Sequence, residues 1–171
     1  MSKGSGRVTG RDSIDAFLER ALEVFPDLDP RVEAIVDRVC HLDKHLDRLS
    51  DVGARRFELN RGEFKVLLKL RQVPGERLSP GDLSEILALS SGAMTSRLDR
   101  LEEAGLVVRE RDPKDRRGVS VAITDRGRAV TDDAVREIAK EEQKALGALS
   151  SAEQATLNDL LRKVILGFEQ G

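Results

Sequence analysis

The chain has 171 residues, enough for one domain with a proper core and short for two. Charged residues make up 35% and aromatics 3%, with no Trp or Tyr, which points to a mainly helical chain packed on Leu, Val and Ala rather than a β-sandwich. A formal net charge of −2 excludes a globally basic nucleic-acid binder, so any DNA surface has to be local. The single cysteine excludes an internal disulfide and fits a reducing cytoplasm, and no run is apolar enough for a signal peptide or a membrane span.

Residues 1–11 read as a disordered tail, and residues 12–171 as one domain. Asp12-Ser13 precede Ile14, Phe17, Leu18, Ala21, Leu22 and Phe25, helical spacing behind a capping residue. Pro26 and Pro30 separate this helix from a long one, about Arg31 to Arg56, with a stripe of Ile35, Val39, Leu42, Leu46 and Leu49. Asn60 caps a third helix carrying Phe64, Leu67, Leu68 and Leu70, and Pro74-Gly75 is a turn. Ser79-Pro80 starts a short helix with Leu83, Ile86 and Leu87 as its buried face. After a tight turn at Ala88-Leu89, Ser90-Ser91-Gly92 opens another, with Ala93, Met94, Leu98 and Leu101 on one side and Gly105 as its stop. Leu106 to Arg111 and Val119 to Ile123 read as a two-stranded hairpin around the charged run Asp112 to Gly118. Thr124 caps a long helix to about Leu146, and Ser150 with Glu153 forms a capping box for a last helix carrying Leu157, Leu160, Leu161, Val164, Ile165 and Phe168. The apolar stripes at both chain ends have little in the chain to cover them, so a second copy around a two-fold axis is expected.

Ser79 to Leu101 has the form of a DNA-reading helix-turn-helix. The second helix has no acid before Asp99, so its hydroxyls and free backbone N–H groups suit phosphate oxygens. Ser90, Ser91, Gly92, Met94, Thr95, Ser96, Arg97 and Arg100 are the expected contacts there, with Thr95, Ser96 and Arg97 reaching base edges in the major groove. Lys114, Arg116 and Arg117 at the hairpin tip suit the negative potential of the minor groove. The alternative is a solvated charged turn, with Asp112 and Asp115 beside the arginines. From Asp132 to Gly171 there are eight acids against five bases, so that end fits a dimerisation region facing away from a duplex.

The run from Leu59 to Val130 resembles the MarR family of winged helix-turn-helix regulators. The pieces that carry the resemblance are Leu83-Ser84-Glu85-Ile86-Leu87, the stretch from Thr95 to Val107, Asp112 to Gly118, and Thr124-Asp125-Arg126-Gly127-Arg128. The resemblance implies a mainly α fold with a small β-hairpin wing. It places the DNA-binding lobe at residues 60–123 and dimerisation helices at residues 12–58 and 124–171. It further implies a homodimeric repressor that binds an inverted repeat in double-stranded DNA and is released by a small ligand. The helix before Pro26 is similar to that of the urate-responsive branch, whose site uses a Trp, an acid and arginines. This chain has no Trp, Lys65 stands where the acid would, and Gln72 where one Arg would; Arg97 matches. Lys65, Arg97, His41 and His45 instead form a cationic set suited to a small anion, such as an aconitate- or citrate-like polycarboxylate.

His41 and His45, four apart, have the spacing of a metal pair, but no HExxH pattern accompanies them, and pocket lining or a plain helix flank is the preferred reading. Cys40 reads as core packing, with a thiol redox sensor as the alternative; the Tyr pair such sensors use is absent. No glycine-rich phosphate loop or nucleophile elbow supports an enzyme or a cofactor. A winged-helix module that binds protein instead of DNA is the reading from a different class.

Overall fold

A computed structural model describes residues 10–111 and 118–170. The charged run at the hairpin tip, with Lys114, Arg116 and Arg117, lies outside the described residues, as does the tail before Gly10. The chain divides into two compact units, Met1–Arg48 and Leu49–Gly171, and the division falls inside one helix.

The first unit holds α1 (Ser13–Val24) and most of α2 (Pro30–Arg55). Asp12 caps α1 as its composition predicts. Its carboxylate accepts from the Ile14 and Asp15 N–H groups, and the Asp15 side chain accepts in return from the Asp12 N–H. Pro30 opens α2, where a missing N–H costs nothing. Arg38 ties the two helices together. Its guanidinium donates to Asp12 at 2.9 and 3.2 Å and to Asp15 at 2.6 Å, and that pairing holds the Asp12 carboxyl below the usual carboxylate range. Cys40 is exposed, which corrects the expectation that it packs in the core. It lines a groove with Ile14 and Phe17 of α1 and His41 of α2.

The second unit runs from the last turns of α2 through α3 (Arg61–Gln72), a 3-10 turn (Pro74–Glu76), β1 (Arg77–Leu78), α4 (Pro80–Ile86), α5 (Ser91–Glu103), β2 (Val107–Arg111), β3 (Val119–Ile123), α6 (Asp125–Ala145) and α7 (Ser151–Glu169). Its core is aliphatic: Leu67, Leu70, Leu83, Met94, Leu98, Leu101 and Val121 are fully buried. Burying a Leu of this kind contributes roughly 1.5–3 kcal/mol, so aromatics are not needed to close it. Ile86, expected on the buried face of α4, is instead 46% exposed; it is the last residue of the helix, and Leu83 is the one buried residue in it.

The sheet has three strands, not the two expected. β3 lies in the centre, antiparallel to β2 on one side and to β1 on the other, with Arg77 opposite Ala122 and Leu78 opposite Val121. A two-residue strand shows no alternation to read. It exists because the turn before it, with Gly75 and Glu76 both at positive φ, delivers the chain to the free edge of β3. Glu76 is held there by Arg71 of α3 and, at 2.6 Å, by Arg128 of α6. Arg71 also grips Asp132 of α6 through two hydrogen bonds of 3.0 Å, which lowers the Asp132 carboxyl from its ordinary value.

Candidate nucleic-acid interface

α4 and α5 are joined by a turn in which Ala88 takes φ +50 and the Leu89 N–H donates to the Ser84 carbonyl at 2.8 Å. The tight turn sets α5 across α4, with Leu83, Met94 and Leu98 buried in the core they share. Ser90 caps α5 by accepting from the Ala93 N–H, and its first turn carries no acid. Ser90, Ser91, Gly92, Thr95 and Ser96 are all exposed, so the N-terminal half of α5 presents small hydroxyl side chains and open backbone donors. Met94 departs from the expectation. It is only 1% exposed, one of the residues that fasten α5 to the core, and it has no path to a base edge.

Two ion-pair clusters fix how this face is presented. Arg109 of β2 donates through its backbone N–H to Glu102 of α5 at 3.0 Å, and its guanidinium reaches both Glu102 and, at 2.6 Å, Asp99. The backbone donor first, and the guanidinium second, hold the Glu102 carboxyl below its ordinary range. The sheet and α5 are therefore pinned together. On the other side, Arg100 donates to the buried Glu63 carboxylate at 2.6 Å and to the Ser96 hydroxyl at 3.2 Å. Glu63 accepts from the Asn60 N–H as well, as the reciprocal half of the α3 cap. Arg100 thus serves as a strut from α5 to the start of α3, although its side chain stays half exposed.

Lys65 and Arg97 meet in one cleft of about 340 Å³, also lined by Arg61, Gly62, Leu87 and Leu89. No carboxylate is among those residues. Gly62 makes the arrangement possible: a Cβ there would stand 2.6 Å from Cζ and 2.7 Å from Nε of Arg97, so the guanidinium lies flat against α3 only because that position is bare. The neighbour that would have to yield is a flexible tip. Gly62→Ala should therefore leave Tm within about 2 °C of the parent while expelling the Arg97 guanidinium from the cleft, seen in the variant's crystal structure. An unmoved guanidinium would show that Gly62 does not govern it. His41 and His45 belong to the first unit, with ring centroids 5.0 Å apart, and neither lines this cleft. Among the described residues no group of three or more His, Cys, Asp or Glu is placed to hold a metal ion.

Sequence reasoning located α5 and the Lys65–Arg97 pair but missed Gly62, Glu63 and Arg109. Asn60 followed three residues later by Glu63 was a readable capping signal; nothing in the sequence marks Gly62 as the floor under Arg97.

A short helix, a tight turn and an exposed reading helix, backed by a small antiparallel sheet, define a winged helix-turn-helix. A model of the MarR family matches residues 59–119. The transcriptional regulator PecS of Dickeya dadantii is 32% identical over 140 residues, covering 81% of this chain and 84% of that protein. The multiple antibiotic resistance protein MarR of Escherichia coli K12 is 32% identical over 130 residues, covering 75% and 89%. A mutant of E. coli MarR complexed with operator DNA superposes with a TM-score of 0.62 at 30% identity, covering 84% of this chain and 96% of that one. The chain belongs to the MarR family of DNA-binding transcription regulators. No helix among the described residues is long and apolar enough to cross a membrane.

Proposed function

We propose that this protein is a homodimeric, operator-binding repressor that a small anion releases from DNA. The observation that carries the reading is the exposed, acid-free N-terminal half of α5, held rigidly by Arg109 on one side and Glu63 on the other. Backbone donors and hydroxyls of this kind grip phosphates, while Thr95, Ser96 and Arg97 read bases in the major groove. Support for pairing comes from α7, which has no buried residue and leaves Phe168 83% exposed, and from the exposed stripe of Val32, Ile35, Val39 and Leu42 on α2. Apolar surface on that scale calls for a partner, and a second copy supplies the inverted-repeat geometry.

The anion is assigned to the Lys65–Arg97 cleft. A cleft lined by cations and no carboxylate suits a multiply charged acid of aconitate or citrate size, in keeping with the likeness to the urate-responsive branch. Arg97 sits on the reading helix, so a ligand that holds it differently in the two states couples the sites by linkage.

Enrichment of random duplex DNA on the purified protein, followed by titration at two salt concentrations, tests the DNA reading. An inverted repeat with half-sites about one helical turn apart, bound with steep salt dependence, is the expected result. Failure to enrich any sequence would move the function to a protein partner. With that duplex as probe, Arg117→Ala should weaken binding about tenfold, the order expected for loss of one charged groove contact, with the dimer intact on gel filtration. Unchanged affinity would remove the wing tip from the mechanism. Lys65→Ala should leave operator affinity intact and raise the citrate concentration needed for release about tenfold; a release curve that overlays the parent's would refute the cationic cleft.

A further inference from the structure

A hydroxyl carries one proton and two lone pairs, so what it offers a ligand depends on what it has already committed. Thr95 and Ser96 are neighbours on the exposed side of α5, and their commitments are opposite. The Thr95 hydroxyl donates to the Ser91 carbonyl at 2.9 Å. Its proton is taken, and only lone pairs are left. The Ser96 hydroxyl accepts from the Arg100 guanidinium at 3.2 Å and donates to no acceptor among the described residues. Its proton is free, and the cation on its oxygen both polarises that O–H and repels an approaching amine. Arg100 is itself fixed. Its Nε donates to the Glu63 carboxylate at 2.6 Å, and Glu63, only 6% exposed, accepts from the Asn60 N–H at 2.9 Å as well. A line of hydrogen bonds thus runs from the cap of α3 to the reading surface and ends on the Ser96 oxygen.

We propose that Thr95 and Ser96 are specificity-determining residues of opposite hydrogen-bond polarity. Thr95 accepts from the groove-facing amine of an adenine or cytosine, and Ser96 donates to the N7 of a purine. These are groups that the major groove displays, and N7 is an acceptor that Watson–Crick pairing leaves unused. Arg100 is a positioning residue, which sets the polarity of Ser96 without touching a base. Both roles rest on the proposed reading that this end of α5 enters the major groove. Exposure and residue type alone do not distinguish the two hydroxyls; their partners do.

Operator duplex enriched by the native chain, carrying single modified bases, tests these roles. N6-methyladenine and N4-methylcytosine keep their pairing and lose the groove-facing N–H, whereas 7-deazapurines lose N7 alone. Fluorescence anisotropy gives the rise in Kd that each modification causes, for the native chain and for each variant. In the native chain one amine methylation and one 7-deaza substitution per half-site should each weaken binding about tenfold, the order of one hydrogen bond lost at a desolvated contact. Thr95→Ala should erase the methylation penalty, to within about twofold, and keep the 7-deaza penalty; Ser96→Ala should do the reverse. Arg100→Met should cut the Ser96 penalty at least about threefold and leave the Thr95 penalty in place. A variant that merely disturbs the structure weakens every duplex alike and moves none of these ratios. The proposal is overturned if the two penalties answer to the opposite residues, if neither alanine variant erases one, or if a folded Arg100→Met leaves the Ser96 penalty whole. Should Arg100→Met not fold, the alanine variants, both at exposed positions, still decide. An enriched operator without this exchange of penalties overturns the polarity alone; failure to enrich any operator overturns the groove reading with it.

Discussion

Thr95→Glu will abolish specific operator binding while the protein melts at an unchanged temperature. Thr95 is exposed on the acid-free side of α5, and its hydroxyl is committed only to the Ser91 carbonyl, at 2.9 Å. Glutamate is a good helix former, so the fold has no reason to object. At the DNA surface, however, the new carboxylate meets phosphates and base acceptors with no donor to offer. Desolvating a charged group without a partner costs about 2–4 kcal/mol here, roughly a 30- to 1000-fold rise in Kd. Fluorescence anisotropy on the selected duplex measures it, with thermal melting as the control. Affinity within about threefold of the parent would mean that α5 does not face the groove.

Gly127→Ala tests the junction between the sheet and α6. A Cβ on Gly127 would stand 2.1 Å from the Leu106 carbonyl oxygen and 2.8 Å from Cγ1 of Ile123. Backbone cannot swing aside as the Arg97 tip can. Moving it would break the joint at which the Thr124 N–H donates to Leu106 at 3.0 Å and the Thr124 hydroxyl donates to the Gly105 carbonyl at 2.8 Å. The cost should be about 3 kcal/mol, a fall in Tm of roughly 10 °C. Gly81→Ala is the control: its Cβ would meet only Ser79 Oγ at 3.6 Å, so a change within about 0.5 kcal/mol is expected. Equal melting of the two variants would show that α6 does not press on Leu106.

Much of this fold could be read from local chemistry. Caps at Asp12, Asn60, Ser79, Ser90, Thr124 and Ser150 each open the helix expected of them, because a capping side chain acts within three residues and needs no tertiary information. Gly105, at φ +68, ends α5 for the same local reason. What escaped was long-range. β1 depends on an edge supplied by β3, some forty residues on, and Cys40 lines an open groove between α1 and α2 rather than a core. Within the candidate site, residue types announced the hydroxyl-rich helix and the two cations. They could not say that Met94 faces inward, since Met suits core and surface contacts alike. Nor could they separate His41 and His45 from Lys65 and Arg97, because shared charge carries no information about shared space.

The Asp99–Arg109–Glu102 clasp has a bearing on how such a protein searches DNA. On the proposed reading, β2 anchored to α5 before any encounter makes strand and helix arrive as one bivalent body. Once either engages, the other is presented to its own groove at high effective concentration and loses little further freedom. Binding then tends to be complete or brief, with few half-attached states, which favours rapid rejection of wrong sequences over lingering on them.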